Sequence, residues 1–186
     1  MTSLSILWLP IILSAVGVFI ASSVIHMVFR YHQNDYRRVS SEDQLIEDLR
    51  RANLSPGEYA VPHARNPKDM ADPAYVEKVT RGPVALLTVV PSGRLSMTKP
   101  LVLWFLLSLI VSLTAGYVAE RALGPGADYL EVFRFVGTTA FSAYVFGLWQ
   151  QSIWFGRPWS TTIKASFDGA VYALLTAGVF GWLWPT

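Results

Sequence analysis

The amino-acid sequence predicts a mainly α-helical integral membrane protein with four transmembrane helices and a small α+β insert between the first and second helices. Apolar residues make up 52 % of the 186-residue chain and charged residues 15 %, against roughly 25 % charged residues in soluble domains. Of the 28 charged side chains, 20 lie within residues 30–99, and none precedes Arg30. Long uncharged stretches on both sides of one polar segment are typical of a multi-pass membrane protein.

Four stretches are long and apolar enough to cross a bilayer, which takes about 20 residues in a helix. They are residues 4–29, 100–119, 135–154 and 165–184. Because the backbone must satisfy its own hydrogen bonds in lipid, each is predicted to be helical. The first stretch lacks the basic start and the short apolar run of a signal peptide, so a retained anchor is expected. The predicted organisation is helix 1 in residues 1–29, the insert in 30–99, and three further helices in 100–186.

The distribution of Lys and Arg predicts how the chain is oriented, because cytoplasmic connections carry more of these residues. The connection after the first span and the connection after the third are basic, and the two termini are uncharged. We therefore expect a bacterial inner-membrane protein with both termini in the periplasm and residues 30–99 in the cytoplasm. The small net charge of +2, with acids among the bases, gives no reason to expect a nucleic-acid partner.

The polar insert carries local signals for two helices and two strands. Ser41 and Gln44 have the spacing of a capping box, which predicts a helix over residues 42–52. Pro73 suits the first position of a second helix, predicted to end near residue 80 with Gly82 beyond it. Residues 58–62 and the apolar run 84–90 are predicted to be strands.

Rows of small residues are the most specific pattern in the predicted spans. Small side chains let membrane helices approach closely. We predict that the row in the last span packs against the row in the second span, and that Leu174 and Phe180 face lipid or a partner. The last span carries Gly169, Ala173, Ala177 and Gly181, the second carries Ser108, Ser112 and Gly116, and shorter pairs are Gly17 with Ala21 and Ala143 with Gly147.

Three polar residues near span ends are candidates for chemistry. His26 and His32 have ligand side chains, but a spacing of six places them on different sides of a helix, and no other span contains a histidine. We therefore expect no metal site, and His26 stays a weak candidate for a pigment ligand. Asp168 follows Lys164 by four residues and is expected to pair with it at the membrane interface.

Motifs of known catalytic sites are missing from the sequence. It contains no cysteine, no Gly-x-Ser-x-Gly elbow, no His-Glu-x-x-His motif and no phosphate-binding loop. The prediction is therefore a protein that is not an enzyme, with no catalytic residues and no cofactor of its own.

Five runs of the sequence carry a family resemblance: DYRR (35–38), PGEYAVPHA (56–64), GPVALLTVVPSG (82–93), QQSIWFGRPWSTT (150–162) and FDGAVYALLTAGVFGW (167–182). They resemble an uncharacterised family of small four-helix bacterial inner-membrane proteins over nearly the whole chain. The family brings no assigned activity, so no site residues follow from the resemblance. In protein type, the chain is also similar to accessory subunits around bacterial reaction-centre–light-harvesting complexes.

These observations lead to one expected function and two alternatives. The expected function is a non-catalytic membrane accessory subunit that assembles with and stabilises a larger energy-converting complex, such as a photosynthetic reaction-centre–light-harvesting complex. Its partners would be other integral membrane subunits and membrane lipids, with contact to pigments or lipids of the partner complex. The first alternative is a small oligomeric transporter or channel-like protein. The second is an intramembrane or interfacial enzyme that uses Asp168, His26 or His32.

Overall fold

The protein is mostly helical, and within the residues that the structure describes three helices are long and apolar enough to cross a membrane. A computed structural model describes residues 4–94 and 96–186. The three candidate spans are Leu4–Phe29, Thr98–Ala122 and Trp159–Trp182. The chain divides into two compact units, residues 37–95 and the remainder. The mainly helical fold with a small two-stranded sheet is therefore confirmed, and three helices have the length and composition of membrane spans.

The first candidate span is one continuous helix with irregular ends. A 3₁₀ turn over Leu4–Leu7 leads into α1, Trp8–Val24, which continues as a π-helical turn over Ile25–Phe29. The chain leaves the helix at Arg30, whose φ of 53° lies in the left-handed region. This change of direction places the next residues beside the helix end instead of further along its axis.

The region predicted as the third span is helical throughout. It comprises α6, Tyr129–Phe141, a π-helical turn over Ser142–Phe146, and α7, Gly147–Phe155. It is not among the three helices that meet the length and hydropathy of a span. The fourth span therefore stays a prediction.

The second and last spans are α-helical from end to end. They are α5, Thr98–Ala122, and α8, Trp159–Trp182. Large apolar side chains of both helices point outward, including Leu103, Ile110 and Leu174, while alanines such as Ala115 and Ala177 are buried. Small residues inside and large ones outside are the arrangement that close helix packing in lipid requires.

The row of small residues on α8 lies against α6, so the prediction that it faces the second span is wrong. A Cβ atom built on Gly137 of α6 would lie 3.2 Å from the Cβ of Ala177. A Cβ on Gly181 would lie 2.7 Å from the ring of Tyr129, also on α6. Gly137 belongs to none of the rows read from the sequence, and it is this glycine that lets the two backbones approach.

Phe180 is fully buried, so the prediction that it faces lipid or a partner is also wrong. It follows Ala177 by three residues and therefore lies on the same side of α8. Its ring fills the space beside Gly116 of α5, where an added Cβ would lie 2.9 Å from the ring. The predicted outward position holds for Leu174, which is 57 % exposed.

The second unit, residues 37–95, contains a two-stranded antiparallel sheet and three short helices. The helices are α2, Glu42–Arg51, α3, Pro67–Met70, and α4, Pro73–Arg81. The strands are β1, Gly57–Val61, and β2, Ala85–Val89, with Gly57 opposite Val89.

Local sequence signals in this unit predicted where the helices and strands lie, but they did not predict which side chains cap the helices. α2 begins where the capping-box pattern placed it, but the side chain of Ser41 makes no capping hydrogen bond. Its φ of −111° and ψ of 52° lie outside the extended conformation that a capping residue normally adopts. The side chains of Asn66 and Asp72 do cap α3 and α4, by accepting hydrogen bonds from backbone amides.

Candidate functional site

Polar side chains far apart in sequence meet where the first membrane helix ends and α8 begins. We call this group the His–Asp cluster. All of its members belong to the same compact unit. The members are His26, Tyr31, His32, Asp35, Lys164 and Asp168.

Asp168 is the most deeply placed acid of the cluster, with 4 % of its surface exposed. Its Oδ1 accepts a hydrogen bond from the hydroxyl of Tyr31, and its Oδ2 lies 2.8 Å from Nε2 of His32. Both oxygens therefore have partners from the segment that follows Arg30. A buried carboxylate requires such partners, because removal from water without compensation is unfavourable.

Asp35 is held between a cation and an imidazole. Nζ of Lys164 donates to Oδ1 of Asp35 at 2.7 Å and to the carbonyl oxygen of Tyr31 at 2.9 Å. Nδ1 of His32 lies 2.6 Å from Oδ2 of Asp35. Burial raises the pKa of Asp35, but the hydrogen bonds from Lys164 and His32 outweigh this effect and hold the pKa below 3.8.

The predicted pair between Lys164 and Asp168 is therefore wrong. The two residues lie one helical turn apart on α8, which suits an i,i+4 ion pair. The folded-back segment supplies a different partner to each of them. Lys164 binds Asp35, and Asp168 binds Tyr31 and His32.

The two histidines lie together, which contradicts the prediction that they point to different sides of a helix. Their ring centroids are 5.0 Å apart and the ring planes are within 6° of parallel. The prediction assumed one continuous helix through residue 32. Because the helix ends before Arg30, His32 folds back towards His26, whose Nδ1 donates to the carbonyl oxygen of Ser22 at 2.9 Å.

A second polar feature lies in the interior of the compact unit that contains the long helices, which we call the helical unit and which the structure describes over residues 4–36 and 96–186. The hydroxyl groups of Ser14 and Ser112 are buried and have no hydrogen-bond partner among the residues that the structure describes, and the hydroxyl of Tyr144 is buried beside Ser108. Ser108, also fully buried, donates to the carbonyl oxygen of Trp104. Sequence reading treated Ser108 and Ser112 only as small packing residues and did not single out Tyr144.

The other small residues of α8 also lie within the helical unit. Ala173 is 3 % exposed. A Cβ on Gly169 would lie 2.7 Å from a methyl group of Val145, in the π-helical turn after α6. The α8 row is therefore enclosed by the chain's own helices and offers little surface to another subunit.

A different surface remains open along α6 and α7. We call it the α6–α7 outer face. A Cβ on Gly147 would meet nothing within 4 Å. A shallow groove lies at one end of this face, lined by Arg134, Phe135, Thr138 and Thr139. The exposed residues that define the face are Phe135, Thr138, Ser142, Ala143, Gly147, Gln150 and Trp154.

Comparisons with protein-family models, with curated proteins and with solved structures find no match to this chain. The sequence resemblance to a family of small inner-membrane proteins therefore stays a prediction, and functional conclusions rest on the geometry described above.

Proposed function

We propose that the chain is a non-catalytic integral membrane subunit that assembles with and stabilises a larger energy-converting membrane complex. In this proposal α6 and α7 form a fourth span, both termini face the periplasm, and residues 30–99 face the cytoplasm of a bacterial inner membrane. The partners are other integral membrane subunits and lipids.

The observation that carries this proposal is the mixed character of the α6–α7 outer face. It exposes two aromatic rings together with hydroxyl groups and the amide of Gln150. The outer side of α5, by contrast, exposes Leu103, Leu106 and Ile110, which suit lipid tails. Polar and small side chains on a membrane helix favour contact with another helix, where hydrogen bonds and close approach are available.

The central glycine of that face gives a direct test of assembly. Gly147→Leu adds a side chain into open space, so it should leave the isolated fold intact while blocking a close-packed partner helix. Gly17→Leu on α1 is the matched control, because a Cβ there also meets nothing within 4 Å. The measurement is the amount of the chain that co-purifies with other membrane subunits in mild detergent.

We expect Gly147→Leu to reduce recovery of the assembly several-fold and Gly17→Leu to leave it unchanged. Equal recovery of wild type and both variants would remove the α6–α7 outer face from the proposal. Recovery of the wild-type chain without any other subunit would contradict assembly itself. The absorption spectrum and composition of the recovered assembly test whether the complex is a photosynthetic reaction-centre–light-harvesting complex.

The topology has its own test. A reporter fused at Thr186 should signal a periplasmic location, and one inserted at Asn66 should signal a cytoplasmic location, because basic residues flank the insert. A cytoplasmic signal from Thr186 would contradict an even number of spans with a periplasmic start.

A small oligomeric transporter is the second candidate. It is favoured by the unpartnered hydroxyl groups of Ser14 and Ser112 and the buried hydroxyl of Tyr144 inside the helical unit. Buried polar groups without partners are uncommon in folded proteins and mark places where water or a solute finds hydrogen bonds. This candidate predicts a homo-oligomer and solute or proton flux in proteoliposomes that Tyr144→Phe abolishes. Absence of flux from the reconstituted wild type would dismiss it.

A further inference from the structure

We propose that His26, His32 and Asp168 form a binding site for one first-row divalent metal ion, Zn²⁺ or Fe²⁺. This site goes beyond a role in assembly, and it replaces the expectation from sequence that the chain has no metal ligands.

The donor atoms already lie close enough to share one ion. One ligand atom from each of the three residues lies within 4.8 Å of the other two. Zinc binds imidazole nitrogen and carboxylate oxygen at about 2.0–2.2 Å, so donors of a tetrahedral site lie roughly 3.3 Å apart. Small side-chain movements reach that geometry from the observed separations.

Each of the three ligands is held by a second partner through the atom that would not bind the metal. Nδ1 of His26 donates to the carbonyl oxygen of Ser22, and Nδ1 of His32 lies against Asp35. Such contacts leave Nε2 as the ligand atom and fix the ring orientation, as found for most metal-binding histidines. The hydroxyl of Tyr31 holds Oδ1 of Asp168 and leaves Oδ2 facing the histidines.

The charge of the cluster also favours a cation. The cluster contains two carboxylates, those of Asp35 and Asp168, and one ammonium group, that of Lys164. A metal ion would displace the proton between Nε2 of His32 and Oδ2 of Asp168. Imidazole donors select Zn²⁺ or Fe²⁺ over Mg²⁺ and Ca²⁺, which prefer sites made of oxygen ligands.

The geometry of the ligands also allows access from solvent. His26 is exposed whereas Asp168 is buried, so the ion would enter from the side of His26. Two imidazoles and one carboxylate fill three coordination positions, and water completes the coordination.

The test is the metal content of the full chain, purified in mild detergent with an affinity tag that contains no histidine. The metal content of wild type, His26→Gln and His63→Gln is compared directly after purification. It is compared again after incubation with Zn²⁺, or with Fe²⁺ in the absence of oxygen, and in both cases free metal is removed first. His63 is the matched control, because it is the third histidine and lies exposed in the other compact unit.

We expect about one ion per chain in wild type and His63→Gln. The affinity of His26→Gln for the metal should be lower than that of wild type by at least ~10–100-fold, the loss that follows when only a residue supporting a metal ligand is removed. The metal retained from the cells tells Zn²⁺ from Fe²⁺. The proposal is overturned if wild type binds neither ion, or if His26→Gln binds as tightly as wild type. The test uses a variant of His26 because this side chain is exposed and its replacement should leave the fold intact, whereas Asp168 is buried and Asp168→Asn could prevent folding.

Discussion

The two ends of α8 meet the rest of the helical unit through different kinds of contact. Near its start, Lys164 and Asp168 bind the segment after Arg30 through charged and hydrogen-bonded groups. Towards its end, Ala177 lies against Gly137 of α6, and Gly181 leaves room for the ring of Tyr129. One contact depends on matched charges, and the other depends on the absence of side-chain volume.

This difference determines how each end responds to change. A buried charge that loses its partner is strongly destabilising, since neither water nor protein compensates it. A small residue that gains volume forces its neighbours to move by an amount that depends on the added atoms. The start of α8 should therefore be sensitive to the removal of a group, and its end to the addition of one.

The largest expected effect is at the charged end. Asp168→Ala removes the partner of His32 and Tyr31 and should lower the free energy of unfolding by about 3–5 kcal/mol, as for other broken buried pairs. Asp69→Ala is the matched control, because the Arg65–Asp69 pair is largely exposed and such pairs contribute about 1 kcal/mol or less. Unfolding by SDS titration in detergent measures both. If both variants lose the same free energy of unfolding, the His–Asp cluster contributes no more to stability than a surface ion pair.

The next effect is at the small-residue end. Ala177→Leu adds volume where Gly137 and Ala177 almost touch, and should destabilise the fold by about 1–3 kcal/mol. Leu174→Ala on the exposed side of α8 should change it by less than about 0.5 kcal/mol. A larger loss for Leu174→Ala than for Ala177→Leu would show that the row on α8 is not the packing face.

The smallest expected effect is a change in stability that has opposite signs at two helical glycines. In a helix, Gly→Ala is intrinsically stabilising by roughly 0.5–1 kcal/mol. Gly17→Ala, with open space around it, should therefore be neutral or stabilising. Gly169→Ala places a Cβ 2.7 Å from Val145 and should instead destabilise the fold by about 1 kcal/mol. Thermal unfolding midpoints in detergent compare the two, and a rise for both variants would contradict the tight contact at Gly169.

Local patterns in the sequence predicted the helices and strands because their causes are local. The lengths of the apolar stretches predicted the long helices of the helical unit, and Pro73 and Gly82 marked the ends of α4. The partner of the α8 row was not predictable in the same way. Gly137 stands alone on α6, and one glycine in a helix carries no pattern.

The His–Asp cluster could not be predicted from residue spacing, since it depends on one backbone conformation. Arg30 adopts a left-handed φ, and this ends the helix and brings residues 31–35 to the start of α8. Nothing in an Arg-Tyr-His sequence indicates such a turn. The separate observations that His26, His32 and Asp168 are all near span ends were the available signal.

The most direct test of the contact between α6 and α8 uses the absence of cysteine from the chain. Gly137→Cys combined with Ala177→Cys should form a disulfide under mild oxidation, because the two Cβ positions lie 3.2 Å apart, close to the 3.5–4.5 Å of natural disulfides. Ser112→Cys combined with Ala177→Cys is the control, because this pair would cross-link if the α8 row packed against α5. It should remain reduced. The account predicts rapid cross-linking of the first pair only, read as a mobility shift that reductant reverses. Rapid cross-linking of the second pair without the first would contradict it.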